Sequence, residues 1–169
     1  GTVAGLQTLT ATVAGLPPVF FGANAVADRA ASVSFGNDLA RLTVLGDTLR
    51  VATTALDRFG NVVSTPAALT IEGTPAVLAA SGNAFVARAR GTAYIRATVD
   101  TASSRLTVLV DPSPPTITRV SPDTLYPGAL VTIDGIGFPL TADLVNVTIG
   151  GVPAIVTKTT AARVEAVIA

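Results

Sequence analysis

Apolar side chains recur at every second position in short runs along this chain. Leu42 and Val44, then Leu49 and Val51, alternate with their neighbours. So do Leu69 and Ile71, Phe85 and Ala87, the series Ala93, Ile95, Ala97 and Val99, and the series Leu106, Val108 and Val110. A period of two sends successive side chains to opposite faces of a strand, so each run predicts a β-strand with one apolar face. Between the runs lie turn formers: Gly46-Asp47, Arg58-Phe59-Gly60-Asn61, Gly73-Thr74-Pro75, Ser81-Gly82-Asn83, Arg90-Gly91 and Thr101 to Ser104. The most frequent polar residue is Thr, with 24 copies, and Val has 22; both are β-branched and suit a pleated, half-buried surface better than a helix. Short strands separated by regular turn signals predict an all-β chain built as an antiparallel sandwich.

An internal repeat divides the chain. Gly5-Leu6-Gln7-Thr8-Leu9-Thr10-Ala11-Thr12-Val13 aligns with Gly91-Thr92-Ala93-Tyr94-Ile95-Arg96-Ala97-Thr98-Val99, an offset of 86 residues (91 − 5). A period of that size is one sandwich domain. The register predicts that residues 1–27 are the last two strands of a preceding domain, with Val19-Phe20-Phe21 as the closing strand, and that residues 28–111 are a complete domain. Pro112, Pro114 and Pro115 lack amide hydrogens and favour extended backbone, which predicts a stiff linker before a further module spanning 112–169.

That last module carries Thr116-Ile117-Thr118-Arg119-Val120-Ser121-Pro122, then Pro127-Gly128, Val131-Thr132-Ile133, the corner Gly135-Ile136-Gly137-Phe138, and Val147-Thr148-Ile149-Gly150-Gly151 before Pro153-Ala154. In these motifs residues 114–169 resemble the IPT/TIG family of immunoglobulin-like domains. The resemblance implies that Gly135 and Gly137 permit a corner with positive φ, that Phe138 plugs the sandwich end, and that Gly150-Gly151 makes a two-residue hairpin. It also implies one or two more strands after Arg163 to Ile168. The stretch Leu49 to Val63, a strand running into Asp57-Arg58-Phe59-Gly60-Asn61, together with Gly91 to Ala97, resembles the bacterial immunoglobulin-like groups of invasin-type (Big) surface proteins. The expected fold class is therefore tandem immunoglobulin-like β-sandwiches.

Composition removes most chemistry. There is no Cys, His, Met or Trp, so thiol and imidazole nucleophiles, His-centred triads and metal sites built on those ligands are absent. Charged residues make up 13% against roughly 25% in an average domain. Eleven basic residues balance eleven acidic ones, and with Lys158 the single lysine there is no basic stripe to displace counterions from nucleic acid. No stretch approaches the roughly 20 apolar residues of a membrane helix. No signal-type segment opens the chain, so an export signal is expected outside it.

The remaining candidates are few. Asp57 and Asn61, with Asp47, could supply hard oxygen ligands for Ca²⁺, but acidic turn residues more often bond their own backbone. Asp134 and Asp143 flank the glycine corner, and Glu72 and Glu165 are the only glutamates; no spacing among them marks a carboxylate couple. Tyr94, Tyr126, Phe59 and Phe85 could form an aromatic platform for a glycan or a protein, but they are expected in the core and at corners. Asn146-Val147-Thr148 fits a glycosylation acceptor, a match expected to be accidental in a bacterial chain. No catalytic, metal or cofactor residue is assigned.

The resulting expectation is a non-catalytic structural module of a secreted or cell-surface bacterial stalk, adhesin or filament, located outside the cell. Its partners would be neighbouring immunoglobulin-like domains of the same chain, or identical subunits arranged head to tail by strand complementation. The alternatives are a module that binds a host or matrix glycan or protein, and an accessory domain of an exported hydrolase.

Overall fold

A computed structural model describes residues 3–74 and 76–168. It contains sixteen strands and one short 3-10 turn, Ala142–Leu144. The strands are β1 (Gly5–Ala11), β2 (Val19–Ala25), β3 (Ala30–Phe35), β4 (Leu39–Leu42), β5 (Thr48–Arg50), β6 (Thr53–Asp57), β7 (Ala68–Gly73) and β8 (Leu78–Ser81). They continue with β9 (Ala84–Ala87), β10 (Gly91–Val99), β11 (Ala102–Val110), β12 (Thr116–Ser121), β13 (Leu130–Ile136), β14 (Val147–Ile149), β15 (Val152–Thr160) and β16 (Arg163–Ile168). Among the described residues the chain is all-β, as the period-two pattern predicts. No helix among the described residues is long and apolar enough to cross a membrane.

Hydrogen bonding groups the strands as β1-β2, β3-β6, β5-β9-β8, β4-β11-β10-β7 and β12-β13-β16-β15-β14. Three expectations need correction. The sandwich is not purely antiparallel, because β11 runs parallel to β4 with Thr107 opposite Leu39 and Val110 opposite Leu42. Only Gly36, Asn37 and Asp38 separate β3 from β4, yet the two belong to different sheets, and this switch sets the direction of β4. The turn expected at Thr101 to Ser104 lies at Asp100-Thr101 instead, and β11 already begins at Ala102. Asp100 adopts the left-handed conformation with φ 51°, which Asp tolerates, and its Oδ2 accepts the Ala30 N–H at 2.8 Å. Val44 and Val51 also fall outside strands: Val44 opens the turn closed by the Asp47 N–H on its carbonyl, and Val51 lies between β5 and β6, which pair into different sheets. Pro75, part of an expected turn, lies outside the described residues.

Two compact units are distinguished. The first comprises described residues within 1–36, 52–70 and 96–105. Its core is Ala30, Val33, Ala55, Ala97 and Val99, with Phe35, Val63, Ala67, Leu69 and Ala102 packed on it. It also contains the β1–β2 hairpin, paired in register from Gly5 opposite Ala25 to Ala11 opposite Val19.

The second unit comprises described residues within 37–51, 71–95 and 106–169. Phe85, Leu78, Ile95, Val108 and Val110 are its fully buried large side chains around β8 to β11. Around the C-terminal sheet a separate cluster forms from Val131, Ile133, Phe138, Val147, Val164 and Ala166, so Phe138 does fill the position expected of it. Gly137 has φ +77°, as anticipated, but Gly135 does not need positive φ. It is required for space: a Cβ there would lie 2.2 Å from the Thr116 carbonyl oxygen and 2.7 Å from the Phe138 ring. Gly150 and Gly151, at φ +60° and +85°, close the β14–β15 hairpin as expected.

Phe85 is 2% exposed, and its replacement by Ala should lower the unfolding free energy by about 3–5 kcal/mol in urea titrations. A loss under about 1 kcal/mol would show that the ring is not packed as described.

Candidate functional site

The residues singled out in the sequence are used to hold segments together. Asp57 ends β6, and its carboxylate is almost wholly consumed by donors. Oδ1 accepts the Phe59 N–H at 2.8 Å and the Asn61 N–H at 2.9 Å; Oδ2 accepts Asn61 Nδ2 at 2.8 Å and the Asp28 N–H at 3.1 Å. The backbone closes the same loop through Asp57 N–H to Asn61 O and Gly60 N–H to Asp57 O, with Gly60 at φ +84°. Burial alone pushes the Asp57 carboxyl up, but the Asn61 side chain and the N–H groups of Asn61, Asp28 and Phe59 outweigh it and bring the pKa to about 2.

This turn also grips both ends of the N-terminal hairpin. The Ala4 N–H, just before β1, donates to Asn61 Oδ1 at 2.8 Å, and the Asp28 N–H, just after β2, donates to Asp57. Arg58 adds an exposed ion pair to Asp28 at 3.5 Å. The hairpin is thus fixed at its base while its apolar residues stay open to solvent: Leu9, Phe20 and Phe21 are more than half exposed.

A second joint brings together turns and a linker whose contacts no local sequence pattern indicates. Residues 111–115 form neither strand nor turn. Asp111 is anchored by its N–H on the Leu42 carbonyl at 2.9 Å and by an ion pair with Arg90 at 2.7 Å. The other end of the linker lies against Gly137, where a Cβ would meet Pro115 Cα at 3.5 Å. The β4–β5 turn docks beside the segment that follows Phe138. The Leu140 N–H donates to the Leu45 carbonyl at 2.8 Å, and Gly46, at φ +84°, is so close that a Cβ would stand 3.0 Å from Thr141 N and 3.1 Å from Leu140 Cβ. Arg88 pairs with Asp143 at 2.5 Å beside them. The sequence could identify Gly46-Asp47 as a turn, but nothing local indicates what the turn touches 94 residues later (140 − 46).

The other candidates are distributed as follows. Asp47 Oδ1 accepts the Thr48 N–H, and Asp134 pairs with Arg163 at 2.7 Å, so neither Asp134 nor Asp143 is a free carboxylate. Among the described residues no cluster of three or more acidic or imidazole or thiol groups could hold a metal ion. Of the aromatics expected in the core and at corners, Phe85 is buried, whereas Tyr126, in its turn, is 66% exposed and Phe59 48%. Tyr126 sits in the loop before Pro127-Gly128, and Phe59 lies at the apex of the Asp57 turn with the Arg58 guanidinium over its ring at 4.6 Å.

A cavity of about 610 Å³ opens beside the C-terminal sheet. It reaches core residues Ile133, Phe138, Val147 and Val164 and is bounded by the proline linker. None of its sixteen lining residues is charged.

Residues 115–168 match the family model described as IPT/TIG domain. No curated protein sequence matches the chain. Among solved structures, the chain is similar to the surface layer protein SbsC, domains 1–6, at 12% identity and a TM-score of 0.46, covering 89% of this chain and 24% of that one. It is also similar to the extracellular cadherin domains 1–4 of protocadherin gamma B7, at 15% identity and a TM-score of 0.45, covering 98% of this chain and 49% of that one. The chain thus spans a quarter to a half of the length of these structures.

Acid titration tests the Asp57 turn. Its folded pKa lies below the ordinary value of 3.8, so its contribution to stability is complete above about pH 4 and is lost as the pH falls through about 2. The urea midpoint should fall over that window in the native chain and fall less in Asp57→Asn; identical acid profiles would remove the turn from the account.

Proposed function

We propose that this chain is a non-catalytic structural segment of a bacterial surface or extracellular protein, in which immunoglobulin-like sandwiches (28–111 and 112–169) are held in series and resist extension. The two bonded joints are the observation that carries this reading. Both joints are fixed by directional hydrogen bonds, and the second also by close glycine contacts at Gly46 and Gly137, which is what a spacer needs in order to transmit force rather than fold back. A flexible linker would require none of them.

The strand order supports the same reading. Tension on residues 111–115 pulls along β11, which lies parallel to β4, so the bonds of the Thr107–Val110 ladder are loaded together in shear. The Thr107 N–H on Asp38 O and the Asp111 N–H on Leu42 O extend that ladder at both ends. The IPT/TIG match at 115–168 agrees with a module of this kind. A second reading, recognition of a glycan or protein, draws on the exposed rings of Phe59 and Tyr126. Phe59→Ala and Tyr126→Ala should leave stability unchanged, and a glycan-array or pull-down signal that either variant removes would favour recognition over the spacer.

Gly46→Val tests the second joint. A branched side chain at a left-handed position, within 3.1 Å of Leu140, should push the β4–β5 turn away from Leu140 and Thr141. Small-angle scattering should then show a broader distribution of particle dimensions, with the far-ultraviolet dichroism of strands retained. An unchanged scattering curve in a folded variant would contradict a joint that holds the modules in line.

A further inference from the structure

The β1–β2 hairpin is a finished pair of strands with an uncovered inner face. Gln7, Leu9 and Ala11 share that face with Val19, Phe21, Ala23 and Ala25, as the register dictates. By the offset of 86 these β1 residues correspond to Ala93, Ile95 and Ala97 of β10, which are all 0% exposed, whereas Leu9 is 56% exposed. Both strands begin on a glycine with positive φ, Gly5 and Gly91. The hairpin is therefore built as the counterpart of β10–β11 and lacks the sheet those strands cover. In the complete copy, β10 lies between β11 and β7; β1 has β2 on one side and nothing on the other among the described residues.

The C-terminal sheet offers a complementary open edge: among the described residues its edge strand β14 pairs with β15 alone. The two-residue Gly150-Gly151 loop makes Ile149 and Val152 a hydrogen-bonded pair, so Thr148 and Pro153 are the non-bonded pair. Pro153 has no amide hydrogen, which fits this pairing, and the N–H and C=O of Thr148 consequently face the open side. Beside that edge the 610 Å³ cavity runs into the core through Val147, Ile133 and Val164. Neither surface carries charge: residues 1–27 contain no Asp, Glu, Lys or Arg, and neither does the cavity lining. Joining them would bury apolar area without desolvating an ion.

We infer that the open edge at β14 is an acceptor for the β1–β2 hairpin of a second copy of this chain, with β1 adding beside β14 and the Leu9–Phe21 face closing the cavity. This deepens the structural reading given above and rests on it, since it names the partner that continues the series. Strand addition of this kind supplies main-chain hydrogen bonds for affinity and alternate side chains for specificity. Donor and acceptor are different surfaces, so the contact does not close on itself and generates linear head-to-tail assemblies.

Light scattering after size exclusion tests it on the full chain. Wild type should give masses at successive multiples of the monomer that grow with concentration. Leu9→Asp removes the donor face and Thr148→Pro the acceptor edge; each variant should be monomeric, and an equimolar mixture should give a 1:1 dimer and nothing larger. Amide exchange supplies a readout that does not alter the acceptor: the Thr148 N–H should be at least tenfold slower in wild type than in Leu9→Asp. A folded wild type that stays monomeric at all concentrations with a fast Thr148 amide would overturn the inference and assign the edge to another occupant. A mixture that yields no dimer would overturn it equally. Scattering on monomeric Leu9→Asp tests the joints separately, so the spacer reading and the assembly can fail independently.

Discussion

A β-sheet with one apolar face must have that face covered, and this requirement organises the whole chain. Where it is met, alternate residues of β10 and β11 are fully buried. Burial of a side chain such as Ile95 contributes about 1.5–3 kcal/mol, so a single covered strand face supplies much of the net stability of a small domain. Where it is not met, in β1–β2 and beside β14, the same alternation leaves Leu9 and Phe21 in solvent and a cavity open to Val147 and Val164. One rule thus describes both the covered and the uncovered faces of the described residues.

Polar chemistry is used on top of this for alignment. With so few charges, several of the paired ones sit where segments meet. Asp57 has its four bonds at the base of the hairpin, Asp111 and Arg90 sit at the start of the linker, and Arg88 and Asp143 flank the contact between Leu45 and Leu140. Exposed ion pairs contribute at most about 1 kcal/mol each, so the hydrogen bonds, and at the second joint the glycine contacts, are the firmer elements. These paired groups are spaced along the chain rather than gathered at one point.

Much of the fold was legible because it follows from period-two alternation and local turn chemistry. Ala93 to Val99, Gly150-Gly151 and the Asp57 turn are all decided within a few residues of themselves. The turn at Asp100 was displaced in the reading because Ser and Thr favour turns in general, whereas here Asp alone takes the left-handed position. Gly135 was read through φ although its reason is a neighbouring carbonyl, a contact that only the fold brings about. The aromatics were expected in the core and at corners, and the exposure of Tyr126 and Phe59 depends on how their loops stand against the rest of the fold, which no local pattern specifies. The Gly46–Leu140 joint was invisible for the strongest reason: its partners are far apart in sequence, and each half looks like an ordinary turn.

Stretching single molecules by their two ends should unfold the segment from β3 to β11 in one discrete event, with a length gain on the order of 250 Å from about 3.5 Å per released residue. Smooth, low-force extension without such a step would contradict a chain built to bear load through the β4–β11 ladder.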